Sequence, residues 1–213
     1  MNIWAVWPTV HVDQSNKMIE EWKGQGYKVG ILVNPPYQER SFPNADKVIV
    51  QEQWQGFPTA VNLLCRSIPG DIMVVVGDDV YPDPDHSAQE IGERFKESFP
   101  DLQGVMQPTG DHFAHTHLCA VSPWIGRGFI TSAYGGKGPF WEEYFHYFSD
   151  EELQQYALSQ SVFLQYPDII QYHDHWQRKD RPTRPIHLMK AKDLWKKDRD
   201  LFHKRKARGF PWD

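Results

Sequence analysis

Residues 71–85, read DIMVVVGDDVYPDPD, constrain this chain more than any other stretch. Ile72, Met73 and three valines form an unbroken apolar run, mostly β-branched. That composition predicts a strand buried on both faces of a sheet. The run stops at Gly77, followed by Asp78 and Asp79, and Pro82 and Pro84 forbid a continued strand or an immediate helix. Two adjacent carboxylates therefore stand at the carboxyl end of a central strand, the edge where open α/β sheets bind ligands. Carboxylates there suit a hard divalent cation shared with a phosphate-bearing ligand. Asp is also a frequent turn former, so the pair alone leaves both readings open.

The flanking pattern supplies the sheet. Strands are expected over 3–6, 28–33 and 47–50. A helix is expected over 14–23, with Met18, Ile19 and Trp22 on one face and Gly24 and Gly26 ending it. A second is expected over 56–68, with Pro58 in its first turn and Ala60, Val61, Leu64 and Ile68 facing inward. The order β-α-β-β-α-β argues for a largely parallel sheet with helices on both faces. Beyond it we expect a helix over 85–99, short strands over 104–107 and 118–121 enclosing GDHFAHTH, and a flexible small-residue loop over 127–138. A helical, aromatic and acidic run over 140–160 follows, then short strands over 161–166 and 169–172 that lead into His173-Asp174-His175-Trp176. Helical spacing resumes from about residue 188, after a linker at Pro182 and Pro185.

Charge divides the chain. Residues 178–208 hold 13 Lys and Arg against 4 Asp, or +9, while residues 1–177 hold 10 basic and 23 acidic residues, or −13. This predicts an acidic domain over 1–177 and a basic C-terminal extension over 178–213. The extension either folds back on the acidic body or meets a polyanion such as nucleic acid. The start of the chain lacks a basic leader, no apolar run reaches the length of a membrane span, and Cys65 and Cys119 both sit in apolar contexts. A cytoplasmic protein with two buried free thiols is the expectation.

Candidate chemistry lies in three groups. One is Asp78 and Asp79. A second is the acidic run with Glu142, Glu143, Asp150, Glu151 and Glu152. Ser149 is expected to cap a helix, with Glu152 at the capping-box position, which sets Asp150 in the first turn. A carboxylate there is either structural, favoured by the helix dipole, or a base aimed into a cleft. The third group is histidine. His173 and His175 alternate along an expected strand, so one reaches a cleft while the other packs. His115 and His117 share a face if that segment is extended, which would suit zinc; His112 stands nearby.

Two segments, GFPTAVNLLCRSIPGDIMVVVGDDVYPDPD and FWEEYFHYFSDEELQQYALSQSVFLQYPDIIQYHDHW, together resemble nucleotide-sugar glycosyltransferases of the GT-A fold, family 2-like. The first matches through Gly56, Ala60, Asn62, Gly70, Asp71, Asp79 and Pro82. The second matches as an acidic-aromatic run, an Asp before Glu and Leu, a helix, and a Pro-Asp strand ending at His. The resemblance covers about residues 1–176. It implies an α/β, GT-A (Rossmann-like) fold with a mostly parallel central sheet, plus a basic C-terminal helical tail. It places Asp150 as catalytic base, Asp79 and one of His173 and His175 as ligands of Mn²⁺ or Mg²⁺, and Pro8, Thr9, Asn34, Asn62 and Asp78 around the nucleotide. Its implied donor is a nucleoside-diphosphate sugar, a UDP-sugar first, and its implied reaction an inverting transfer to a hydroxyl. Two positions depart from the pattern: Gly77 replaces the first acid of Asp-x-Asp, and Asn34 stands where Asp is usual.

The acceptor is not readable from these residues. A hydroxylated base in DNA, reached through the basic tail, is one concrete version. A nucleotidyltransferase shares the fold, but its Gly-rich basic loop after the first strand is missing from WPTVHVDQSNK. A metal-dependent hydrolase built on the histidines and a non-catalytic nucleotide- or nucleic-acid-binding module are the remaining alternatives.

Overall fold

The computed structural model describes residues 1–175, residue 178 and residues 192–210. The strands are β1 (Ile3–Pro8), β2 (Lys28–Val33), β3 (Lys47–Val50), β4 (Ile72–Val75), β5 (Val80–Tyr81), β6 (Val105–Pro108), β7 (Trp124–Gly126), β8 (Phe163–Tyr166) and β9 (Tyr172–His173). The helices are α1 (Val12–Gly24), α2 (Phe57–Ser67), α3 (Ala88–Ser98), α4 (Ala114–Leu118), α5 (Arg127–Ser132), α6 (Ser149–Ser159) and α7 (Lys192–Lys206). Seven strands form one sheet in the order β3-β2-β1-β4-β7-β6-β8, and β5 pairs with β9 apart from it. The block β3-β2-β1-β4 is parallel, β7 runs antiparallel to β4 and β6, and β8 is parallel to β6.

Strand alternation builds two cores. Ile3, Ala5 and Trp7 of β1 and Ile72 and Val74 of β4 face α1 and α3. Trp4 and Val6, with Met73 and Val75, face α2, α5 and α6. Every residue of β4 is buried on one side or the other, as its continuous apolar run requires. The chain moves outward from β1 through β2 to β3 and then returns across β1 to β4. The crevice at the carboxyl ends of β1 and β4 is thus the topological switch point.

Four expected elements differ, one being the strand expected over 169–172, which is formed only as Tyr172–His173. The strand expected over 118–121 is not formed; α4 ends at Leu118, which is exposed, and the strand is Trp124–Gly126. Pairing with β4 begins at the Pro123 carbonyl, which accepts from the Val75 amide, and it buries Trp124 and Ile125 completely. The loop expected over 127–138 contains α5 and a 3₁₀ turn, Ala133–Gly136. Arg127 fixes it: its guanidinium donates to the carbonyls of Cys65, Ile68 and Gly70, satisfying groups left open at the end of α2. The helix expected over 140–160 is confined to α6, and the turns before it are held from elsewhere.

That hold comes from α7, which folds back on α6. Buried Asp198 accepts from the backbone N–H groups of Phe145, His146 and Tyr147. Arg205 donates to both carboxylate oxygens of Glu152, at 2.9 and 2.8 Å, and its guanidinium lies 3.7 Å from the centre of the Trp141 ring. Phe202 packs between Phe148 and Phe210.

Candidate active site

The switch point gathers the ends of three strands. The Thr9 hydroxyl, just past β1, donates to Asp78 Oδ2 at 2.7 Å and accepts from the His11 amide and the Ser15 hydroxyl. Gln14 holds the Asp78 carbonyl from α1. Asn34 follows β2, where its side-chain amide donates to the Gln51 carbonyl at 2.5 Å. Pro8 is the last residue of β1 and pairs with Leu32.

Asp79 reaches a different partner. The short β5-β9 ribbon sets Val80 opposite His173, and the Asp174 amide donates to the Asp79 carbonyl. His173 Nε2 consequently lies 3.4 Å from Asp79 Oδ2. Burial pushes the Asp79 carboxyl up, but the hydrogen bond and charge of His173, with His175, outweigh it and hold the group below its usual value. Burial and the neighbouring His173 push His175 down to about 4, against the pull of Asp79. His175 is therefore neutral at neutral pH.

The expected separation of the two histidines does not occur. β9 ends at His173, so strand alternation lapses, and the two rings lie 5.0 Å apart on one cavity. His115 joins them, 5.9 Å from His175, and Phe113 packs against all three rings. His115 and His117 lie on helix α4, two residues apart, and so do not share a face. Among the described residues no group of three or more His, Cys, Asp or Glu converges as a complete metal-ligand set.

The cavity, of about 370 Å³, connects these groups to the acidic helix. Its walls include Gly77, His115, His173, His175, Asp150 and Trp195, whereas Pro8, Thr9, Asn34, Asp78 and Asp79 do not line it. Asp150 stands in the first turn of α6, where free N–H groups favour a negative charge. Its carbonyl accepts from Ala120. Burial and the adjacent Asp150 charge raise the Glu151 carboxyl, against Lys206 and His115. The capping box expected here is absent. Phe148, with φ 66°, precedes a helix that starts at Ser149, and Glu152 turns inward to accept from Tyr134, Tyr144 and Arg205.

Asn62 lies apart from the cavity walls. It is fully buried, donates to the Phe140 carbonyl and accepts from the Phe140 amide. A side chain on Gly138, at φ 132°, would collide with it, which explains glycine there. Gly56, at φ 103°, is required for the same kind of reason: a Cβ would stand 2.5 Å from the Phe145 carbonyl oxygen. His112 and His117 do not line the cavity, and Trp176 and Trp212 lie outside the described residues.

Three contributors escape sequence reasoning: Phe113, Asp111 and Arg178. Buried Asp111 accepts from the Phe113 amide and pairs with Arg178, whose guanidinium stacks over Phe113 at 4.4 Å and Tyr172 at 4.9 Å. The GDHF run and the basic residue after HDHW were visible signals, but only the fold pairs them.

No protein-family model matches the chain, and no curated protein matches it in sequence. Solved structures do match in fold. The mannosyltransferase PcManGT from Pyrobaculum calidifontis, in complex with GDP-mannose and Mn²⁺, aligns over 80% of this chain with a TM-score of 0.60 at 11% identity. The fold is GT-A-like. TarS from S. aureus, in complex with UDP, aligns over 81% with a TM-score of 0.57 at 12% identity. A putative glucose-1-phosphate thymidylyltransferase from Bacillus anthracis aligns over 78% with a TM-score of 0.52 at 10% identity. The chain spans 56% of the first of these, 60% of the second and 86% of the third. The GT-A-like fold is thus shared with proteins that act on nucleotide sugars by more than one reaction. No helix among the described residues is long and apolar enough to cross a membrane.

Proposed function

We propose that this chain transfers a glycosyl group from a nucleoside-diphosphate sugar to an acceptor hydroxyl, with inversion and with Asp150 as general base. The observation that carries the reading is that His173, beside Asp79, and Asp150 line one cavity. A donor diphosphate at the first wall presents its anomeric carbon to a hydroxyl at the second. The acceptor oxygen attacks that carbon, the carbon–oxygen bond to the diphosphate breaks with its electron pair leaving on the nucleotide, and the hydroxyl proton passes to Asp150. General-base help of this kind is worth about 10²–10⁴-fold.

Asp79 and His173 suit a divalent ion. Their donor atoms lie 3.4 Å apart, and the buried His173 Nδ1 has no hydrogen-bond partner. These two side chains would give one carboxylate and one imidazole donor to Mn²⁺ or Mg²⁺, with donor phosphate and water as the remaining ligands. Such an ion would offset charge developing on the departing diphosphate. Thr9, Asp78 and Asn34, with Pro8 at the strand end, are assigned to the nucleoside. The Asn34 amide is oriented by the Gln51 carbonyl, so its side-chain oxygen remains to accept from a base N–H, which fits the imide of uracil.

A nucleotidyltransferase is disfavoured by the β1–α1 connection. It is only Thr9-Val10-His11, without glycine or lysine, and offers no loop to wrap a triphosphate. The deciding experiment incubates the full chain and Mn²⁺ with a panel of nucleotide sugars and follows nucleoside diphosphate release. Release from a UDP-sugar, abolished in Asp150→Asn when acceptor is present, is expected. No release from any donor, or pyrophosphate release from a nucleoside triphosphate, overturns the reading.

A further inference from the structure

The acceptor side of the cavity is walled by α7, and this wall has a chemistry of its own. Trp195 lines the cavity yet is 41% exposed. It rests on Phe148 at 5.7 Å, and the Arg199 guanidinium stacks on it at 5.1 Å. At the other end of the helix, the Lys206 charge acts on Glu151, which also lines the cavity. Trp195 and Lys206 are separated by about 16 Å of helix rise, so α7 runs along the rim beside Asp150. Its inner stripe, Asp198, Phe202 and Arg205, is buried in the latch. The neighbouring stripe is Lys196, Arg199, His203 and Lys206, at helical spacing; Asp200 flanks it and pairs with Arg199 at 2.8 Å, which leaves Lys196 and Lys206 as its two lysines for a phosphate. Asp193 falls on another face.

We propose that α7 is the acceptor track of this cleft, and that it fits a single strand of nucleic acid. The proposal rests on the glycosyl-transfer reading and names the acceptor class for it. A line of cations spaced along a helix complements a phosphate backbone. An exposed indole backed by a phenyl ring and flanked by a guanidinium is a stacking platform for a flat base, tolerant of sequence. A sulfated or uronic polysaccharide would use the cations but has no flat conjugated face for Trp195 to stack on. Residues 1–177 carry a net −13, which directs a polyanion to the basic C-terminal segment that holds this stripe. A strand lying there brings one nucleotide past Trp195 to the Asp150 wall, already unpaired and with a hydroxyl free to attack the donor's anomeric carbon.

The test uses the full chain and a labelled 20-nucleotide single strand, followed by fluorescence anisotropy between 50 and 300 mM salt. Trp195→Ala is expected to weaken binding about 5- to 150-fold, with Trp195→Phe recovering most of it. Replacing Lys196 and Lys206 together by Ala should reduce the slope of log affinity against log salt by about 1.4. No strand binding at 50 mM salt, or binding unaltered by these substitutions, overturns the proposal. So does displacement by dextran sulfate at equal charge that proceeds alike in Trp195→Ala, which would mark a polysaccharide track. Strand binding without release from any donor would remove the transfer reading and leave the docking surface standing.

Discussion

Arg205→Met should cost about 3–5 kcal/mol of stability, because it removes one partner of a buried pair and leaves the other charged. Both side chains are closed to solvent: Arg205 is 7% exposed and Glu152 1%. The guanidinium makes short contacts with both carboxylate oxygens, and the Tyr134 and Tyr144 hydroxyls donate to the same oxygens at 2.9 and 2.7 Å. Those hydroxyls cannot neutralise the charge that Arg205 leaves behind, and a methionine side chain supplies no donor. For a chain of this length, a loss of about 3 kcal/mol lowers the melting midpoint by about 6–12 °C. Urea unfolding of the wild type, Arg205→Met, Glu152→Gln and the double variant measures the pair directly. The double variant should recover at least about 2 kcal/mol of the summed single losses, since removing both charges abolishes the uncompensated burial. Trypsin should cut α7 faster in both single variants. A loss below about 1 kcal/mol, or strictly additive substitutions, would refute the argument that this ion pair fastens the C-terminal helix.

Asp150→Asn should keep donor binding and lose about 10²–10⁴-fold in transfer rate; unchanged turnover removes Asp150 as base. Chelation should abolish transfer and added Mn²⁺ restore it, and Asp79→Asn should weaken Mn²⁺ binding measured by electron paramagnetic resonance in the absence of any substrate. Asp198→Ala strips the acceptor from Phe145, His146 and Tyr147 and should cost about 3 kcal/mol in urea unfolding. Burial pushes the Cys65 thiol up to about 12 and the Cys119 thiol higher still, so both should resist a thiol reagent at pH 8 in the folded protein and react at once in denaturant. A fast native reaction at either would show that these sites open.

The sheet was legible because its signals are local and repeat. Apolar runs at strand length, helices with a buried face and Pro-Gly punctuation place β1 to β4 within two residues of where they stand. The β7 segment was missed because Trp124-Ile125-Gly126 is too short to show a period, and only its position between β4 and β6 makes it a strand. Glu152 shows the opposite error. Four residues, Ser-Asp-Glu-Glu, match a capping box, yet a partner 53 positions away claims the carboxylate. A local rule loses here because a fully buried carboxylate needs a cation, whereas a capping carboxylate needs only one N–H. The expectation that only one of His173 and His175 reaches the cleft came from extending strand geometry beyond the two residues that β5 can pair. Of the charge split, one pair bears on the latch, Glu152 with Arg205, while the other half of the latch is an acid of the tail, Asp198, on backbone amides.

The two walls of the cavity are held by unlike forces, and this makes their failures separable. Val75 and Gly77 line the cavity from the end of a strand buried on both faces, and Asp78 and Asp79 beside them share in the stability of the whole sheet. Asp150 and Trp195 depend on α7, through one ion pair and one carboxylate that holds three backbone amides. Local opening follows the weaker attachment. A chain with the latch cut should therefore bind nucleoside diphosphate with nearly native affinity while its transfer rate falls, because the nucleotide wall stays packed and the acceptor wall does not. Isothermal titration of UDP against Arg205→Met, set beside its turnover below the melting midpoint, reads both quantities in one protein. Parallel loss of binding and turnover would mean that the two walls are one cooperative unit, and that α7 supports the sheet rather than the acceptor side alone.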